Sequence, residues 1–391
     1  MNIVFVSNYL NHHQIPFCQQ VNETNGVQLT FIQVYPMEED RVKMGWGVDI
    51  DQYPFAISYI GHEDQCKELI LNAEVVLFGG VDDESYIEPR LNAGGLTIRI
   101  SERIYKDGQW KMISPRGLIK KYHDHTRYRK SNVYLMCAGG YVASDFSLIH
   151  AYPDKMFTWG YFPKINTYDI DEVIKDKDSD KVKLLWAGRM IDWKHPLDAL
   201  KAAKAVYDAG IEAKLTMIGD GPLRQELEDF VAVNKMESYV SFKGFMEPDK
   251  VREYMRKSHI YLFTSDYKEG WGAVLNESLN EGCAVIASSG IGAVPSMLRH
   301  GQNGYVYRCG DVNELCKIAV LLAKDKELCA SLGRAGYETV SSLWNPREAA
   351  KRLVNMLSGL LSGELRYEAD DGPLSRAAII SPSKGYDYTR R

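Results

Sequence analysis

Two acidic and two basic residues carry the spacing most suggestive of chemistry. Glu269 and Glu277 stand eight residues apart in TSDYKEGWGAVLNE (264–277). A strand is expected to end near Thr264, followed by a loop with Glu269 and Gly270 and by a helix from near Trp271. The first backbone N–H groups of a helix lack intrahelical acceptors, so those at 272–274 would form an anion site. Gly270 and Gly272 would let the anion approach the backbone closely. As helix, eight residues span about 12 Å, so the two carboxylates could hydrogen-bond two sugars at opposite ends of one diphosphate ligand. By spacing alone they read as solvated helix-surface glutamates, the ordinary place for that residue, but a glycine-flanked glutamate directly between a strand and a helix suits mere solvation poorly.

The second constellation is LLWAGRMIDWKHP (184–196). A strand runs into Gly188, and Arg189 and Lys194 follow before a helix. Two cations at the carboxyl end of a parallel strand suit a diphosphate, since such sheets bind ligands there, and they could neutralise leaving-group charge. A pair of plain surface cations is the competing reading.

The elements that must position these residues are legible along the chain. Short β-branched and aromatic runs alternate with amphipathic stretches, the pattern of α/β architecture with parallel sheets. Strands are expected at 2–7, 27–34, 55–61, 74–79, 97–102, 132–138 and 155–161, then at 182–187, 213–218, 239–244, 260–264, 284–288 and 304–307. Helices are expected near 12–23, 63–72, 84–92, 115–130 and 140–150, and at 195–209, where Leu197, Leu200, Ala203 and Val206 recur every three residues. Ten charged side chains in 163–181 suit an exposed connector. Asn345 and Pro346 open a last helix as N-cap and first helical residue. The expected organisation is a first Rossmann-like doubly wound domain (1–165), a connector (166–181), a second such domain (182–344), a helix (345–365) that crosses back to the first, and a polar, mobile or interacting tail (366–391).

Composition bounds the function. The 391 residues are 45% hydrophobic and 25% charged, with 47 basic against 52 acidic side chains, an ordinary globular balance that disfavours a nucleic-acid partner. Seven cysteines without C-x-x-C spacing read as small buried hydrophobes of a reducing compartment. Neither a signal peptide nor an apolar run of about 20 residues is evident, so a cytoplasmic chain is expected. The one basic exception is 116–130 (RGLIKKYHDHTRYRK), with six Arg/Lys against one Asp and with Leu118, Ile119, Tyr122 and Tyr128 interspersed. It reads as a face for an anionic membrane, a solvated helix face, or a patch attracting an anionic acceptor.

Five ordered motifs, GR-x4-K (188–194), IGDGP (218–222), KGF (243–245), EGWGAVLNE (269–277) and NEGCAVIAS (280–288), resemble those of the family-4 retaining glycosyltransferases of the GT-B fold (glycosyl transferases group 1). The resemblance covers about 180–325 and implies two Rossmann-like domains facing a cleft. It implies a nucleotide-diphosphate sugar (UDP- or GDP-) as donor and a glycan or lipid-linked acceptor. Arg189 and Lys194 would bind the diphosphate, with Gly188 beside them. Glu277 would hold the ribose, Glu269 the donor sugar, and the backbone of Gly270, Trp271, Gly272, Ala273 and Val274 would complete the site. Phe245 and Met246 would lie against the base. It further implies retention of configuration, no metal or other cofactor, and a setting in cell-envelope or capsular polysaccharide assembly. An epimerase or glycoside phosphorylase on the same fold, or a non-catalytic nucleotide- or glycan-binding homologue, are the alternatives.

The sequence departs from the family on the acceptor side. Ser7-Asn8-Tyr9-Leu10 stands where a glycine-rich loop is common. TIRISERIY (97–105) offers Ser101, Glu102 and Arg103 where a histidine is common, with His12 and His13 as alternative imidazoles or plain surface histidines. GIGAVPSM (290–297) lacks an acidic residue after its proline. Asp178-Ser179-Asp180 has the spacing of a metal-binding D-x-D but lies in the charged connector. Gly219-Asp220-Gly221 is a strand-to-helix turn without the third glycine of a dinucleotide fingerprint, and no histidine pair has zinc spacing.

Overall fold

The computed structural model describes residues 1–39, 42, 47–177, 179–363 and 369–391. The chain divides into two units: Met1–Lys164 with Trp344–Ser381, and Ile165–Leu343 with Pro382–Arg391.

The first unit is built on strands β1 (Asn2–Ser7), β2 (Gln28–Gln33), β3 (Ala56–Ser58), β4 (Val75–Gly79), β5 (Thr97–Ser101), β6 (Val133–Ala138) and β7 (Met156–Trp159). They form one parallel sheet in the order β3-β2-β1-β4-β5-β6-β7. Runs such as VVLFG in β4 are buried at every position, as a sheet covered on both faces requires. The helix Pro346–Ser362 opens with Asn345, whose side chain accepts from the Glu348 amide at 2.8 Å. It packs on the helix Ile15–Asn22 of this unit, the crossing back expected of the last helix.

The second unit holds β8 (Val182–Ala187), β9 (Ala213–Ile218), β10 (Val240–Phe242), β11 (Ile260–Phe263), β12 (Ala284–Ser288) and β13 (Tyr305–Tyr307). These too are parallel, in the order β10-β9-β8-β11-β12-β13. The strand order reverses between β8 and β11, so the loops leaving their carboxyl ends diverge and open a crevice there. The helix Pro196–Asp208 buries Ala199, Leu200, Ala203 and Val206 against the sheet.

Two segments differ from the sequence expectation. Residues 166–177 are not an exposed connector. Ile170–Asp176 is a helix whose N-cap Asp169 accepts from the amides of Asp171 and Glu172, and it packs on the helix Lys326–Glu338. Lys177 is buried, donating to the carbonyls of Met255, Ser258 and Glu281 at 3.2, 2.7 and 2.8 Å. The alternating charges hid a short apolar stripe, Ile170, Val173 and Ile174, at helical spacing. Asp178, and with it the D-x-D reading, lies outside the described residues.

The polar tail is likewise docked where described. The Leu374 amide donates to the Thr158 carbonyl at 2.7 Å, the Thr158 amide to the Ser375 carbonyl at 2.8 Å, and the Ala377 amide to the Met156 carbonyl at 3.1 Å. It thereby covers the edge strand β7, whose unpaired backbone groups are satisfied this way. All seven cysteines are free, five of them buried.

Candidate functional site

Three turns stack at the carboxyl ends of β8, β9 and β10. The Gly219 amide donates to the Gly244 carbonyl at 2.7 Å, and the Gly188 amide to the Ile218 carbonyl at 3.0 Å. Gly219 has φ +120°, and a Cβ there would lie 1.9 Å from the Gly188 carbonyl oxygen, so only glycine permits this stacking. The GDG segment is thus the strand-to-helix turn expected, and it supports the loop that carries the cations.

That loop places Lys194 in a single 3-10 turn, Asp192–Lys194. Its ammonium donates to Glu269 Oε2 at 2.6 Å across the switch point, and both side chains are largely buried. Ser265 Oγ donates to the same oxygen at 2.9 Å. Trp186 Nε1 donates to Thr264 Oγ1 at 2.9 Å, and that hydroxyl donates to the Lys194 carbonyl at 2.7 Å. Both ends of the Lys194–Glu269 pair are therefore tied to the strands beneath. Arg189 stands exposed on the same loop.

A second tie joins the two loops, and the sequence reading missed it. His195 Nε2 lies 3.4 Å from Asp266 Oδ2, and the Asp266 amide donates to the Trp193 carbonyl at 2.9 Å. The Asp266 carboxylate raises the His195 imidazole above its usual 6.5 through that hydrogen bond, Asp198 and Asp192 adding to it and burial opposing. His195 adopts φ +46° directly before Pro196, a left-handed conformation costly for a residue with a Cβ. Nothing in the residue types around 195 announced it.

The helix after Glu269 begins at Val274, later than expected, and ends at Asn280. Gly272 at φ +88° breaks the backbone before it. Trp271 is wholly buried, its Nε1 donating to Asn276 Oδ1 at 2.9 Å, so its indole serves the core and only its backbone is left for a ligand. Glu277 accordingly lies in the first helical turn rather than the second, and the 12 Å estimate, which assumed continuous helix, does not apply. Glu277 is half-buried; burial raises its carboxyl to about 7, with the Arg252 guanidinium pulling the other way. A Cβ on Gly292 would lie 1.7 Å from the Gly270 carbonyl oxygen, so the loop after β12 closes directly on the one after β11. Ala273 is buried, while Phe245 is 45% exposed and Met246 half-buried beyond β10.

The four first-unit candidates have distinct surroundings. Arg103 is buried in a two-point pair with Asp145, Nε to Oδ2 at 3.2 Å and Nη2 to Oδ1 at 3.1 Å. That guanidinium holds the fold together and is not directed at an acceptor, a correction to its assignment. Glu102 accepts from the Tyr161 hydroxyl at 2.5 Å and from Lys106. His12 and His13 lie side by side after β1 with ring centroids 3.8 Å apart and planes tilted by 51°, and burial and its neighbour hold the His13 imidazole well below the usual value.

Two parallel doubly wound units and a last helix returning to the first are the GT-B architecture, that of a class of glycosyltransferase enzymes. Residues 168–339, nearly the whole of the second unit, match the family of glycosyl transferases group 1. Among solved structures, the chain is similar to Anabaena HepE in complex with UDP, at 13% identity and TM-score 0.67 over 92% of this chain and 100% of that one. It is also similar to WaaG, a glycosyltransferase involved in lipopolysaccharide biosynthesis, at 14% identity and TM-score 0.59 over 90% and 99%. Among curated proteins, Bacillus anthracis N-acetyl-alpha-D-glucosaminyl L-malate synthase is 33% identical over 33% of this chain. Bacillus subtilis poly(glycerol-phosphate) alpha-glucosyltransferase is 26% identical over 58%. The matches span about a third of each curated relative's own length, 33% and 34%.

Proposed function

We propose that the chain is a retaining glycosyltransferase that moves a sugar from a UDP- or GDP-sugar to a glycan or lipid-linked acceptor without a metal. The observation that carries this reading is the Lys194–Glu269 pair at the switch point of the second sheet. Lys194 and the exposed Arg189 would bind the diphosphate, and Glu269, once its lysine turns to phosphate, would accept from hydroxyls of the donor sugar. Glu277 would hold the ribose and Phe245 would cover the base. In the transfer, the bond from the anomeric carbon to the diphosphate oxygen breaks and the acceptor oxygen bonds on the same face. The acceptor proton passes to the departing phosphate oxygen, and the two cations stabilise the charge that develops there. HepE with bound UDP supports uridine as the base. The lipopolysaccharide role of WaaG and the poly(glycerol-phosphate) acceptor named for the Bacillus subtilis relative support cell-envelope polymer assembly. Titration with UDP- and GDP-sugars followed by NMR of the product's anomeric centre tests the reading. Inversion at that carbon, or absence of nucleotide binding, would reject it.

The first unit presents a surface suited to a bilayer. Trp110, Ile113, Ile119 and Tyr122 are 67%, 75%, 61% and 54% exposed on the 3-10 turn Gln109–Ile113 and the helix Pro115–Asp124. Arg116 and Lys120 are exposed among them. Exposed aromatic and aliphatic side chains interleaved with cations match the interface of an anionic membrane, where a lipid-linked acceptor would reside. No helix among the described residues is long and apolar enough to cross one.

A further inference from the structure

The last ten residues are anchored on the second unit, beside the loop that carries Glu269. The Tyr267 hydroxyl donates to the Pro382 carbonyl at 3.1 Å. The His300 amide donates to the carbonyl of Thr389, itself buried, at 2.9 Å. Arg390 Nη2 donates to Glu314 Oε1 at 2.8 Å and to the Val306 carbonyl at 3.2 Å. The Tyr386 hydroxyl reaches the same Glu314 oxygen, and the guanidinium carbons of Arg308 and Arg390 lie 4.3 and 4.2 Å from the Tyr386 ring centroid. Val306 belongs to β13, the outer strand of the second sheet, so this segment also covers an edge that needs partners.

Tyr267 sits between Asp266 and Glu269 in a tight turn. The Glu269 amide donates to the Asp266 carbonyl at 3.1 Å, and the Lys268 amide to Asp266 Oδ1 at 2.8 Å. His195 and Lys194 hold this turn from the β8 side. Pro382 meets its Tyr267 hydroxyl, and the terminal segment is fixed in turn on Glu314 and His300. We infer that residues 382–391 form a strap that positions the 266–270 turn, and with it the Glu269 carboxylate, for the donor. The inference rests on reading that turn as the donor loop.

The test uses the full chain. Tyr267→Phe removes only the hydroxyl that meets the strap, and the double variant Tyr386→Phe/Arg390→Ala removes its hold on Glu314. Amide hydrogen exchange at 266–273 is followed without nucleotide, then the UDP dissociation constant, KM and kcat are measured. Faster exchange at 266–270 in both variants is expected. A rise of up to about fivefold in the donor KM for Tyr267→Phe is expected too, the factor that one ordinary hydrogen bond commands, with kcat and the dissociation constant of UDP, which offers Glu269 no sugar, moving less. A variant that merely lost stability would instead change exchange across the whole unit. Unchanged exchange at 266–270 in the double variant, while 382–391 itself exchanges faster, would overturn the strap. Failure of the parent protein to bind either UDP or GDP would overturn the donor-loop reading, and the exchange pattern would still decide the strap.

Discussion

Lys194 and Glu269 meet at 2.6 Å although 75 residues separate them in the chain. Each lies in a loop leaving one of the two strands between which the sheet reverses its order. The Lys194 ammonium and the Glu269 carboxylate neutralise each other, which keeps both ordered in a largely buried place. On the proposed mechanism, replacing Lys194 by Ala removes a charge that stabilises the departing diphosphate. Transfer is expected to fall about 100-fold or more, the range for losing one preorganised electrostatic group. Donor turnover and a thermal melt on the same preparation check this, and near-parental turnover would remove the main support for the mechanism.

Glu269 is expected to respond differently from its neighbour Ser265. Glu269→Gln keeps the shape but loses the charge that accepts from Lys194 and Ser265, and a loss comparable to that of Lys194→Ala is expected. Ser265→Ala removes one hydrogen bond of about 1 kcal/mol, hence about a fivefold loss. Steady-state kinetics on the two variants separates a carboxylate that meets the substrate from a hydroxyl that merely aims it.

The His195–Asp266 pair predicts a pH dependence. Because Asp266 raises the folded-state value above 6.5, the stabilisation is fully present below the unfolded value. It is lost as pH rises through the raised one. Both side chains are about a third exposed, so the contribution stays below about 1 kcal/mol. Melting curves of the parent and His195→Asn should differ most near pH 6 and converge toward pH 9. An equal difference at both ends would show that the imidazole's charge is irrelevant to the tie.

The sheets were legible because parallel strands buried on both faces spell continuous apolar runs, as VVLFG and VKLLWA do, and the interruptions fall at glycine-rich turns. Lys194 and Glu269 were legible for the same reason: each sits a few residues past such a run. What escaped depends on partners distant in sequence. Lys177 looks like one more linker charge until the carbonyls of Met255, Ser258 and Glu281 surround it. Arg103 looks like a site residue until Asp145, 42 residues on, takes its guanidinium. The start of the helix at Val274 turned on Gly272 adopting φ +88° and on Trp271 choosing the core, choices that local propensity does not make.

The Arg103–Asp145 pair gives a prediction about stability rather than turnover. Both side chains are almost fully buried, so Arg103→Ala leaves a carboxylate without its cation, and removing one partner of such a pair costs about 3–5 kcal/mol. Asp145 also accepts from the Tyr105 amide and from Gln109, so Asp145→Ala should be at least as damaging. Arg103→Met/Asp145→Leu should recover part of the loss by packing apolar groups into the same space. Denaturant titrations of the three variants check the order.

The exposed apolar face of the first unit predicts how the protein meets its acceptor. Trp110 and Ile119 project into solvent, and Arg116 and Lys120 stand among them. Burying aliphatic side chains in the interfacial region gains about 25 cal/mol per Å², and each cation near an anionic surface adds about 1 kcal/mol. The parent protein should therefore cosediment with vesicles containing phosphatidylglycerol, less well as salt rises, and poorly with neutral phosphatidylcholine. Trp110→Ser/Ile119→Ser should lose the salt-resistant part, and Arg116→Gln/Lys120→Gln the salt-sensitive part, with the melting temperature unchanged because these side chains face solvent. Transfer to a short water-soluble acceptor should be equal in all of them. Transfer to an acceptor embedded in the vesicle should fall with binding, and a parallel fall on the soluble acceptor would place these residues in the reaction rather than on the membrane.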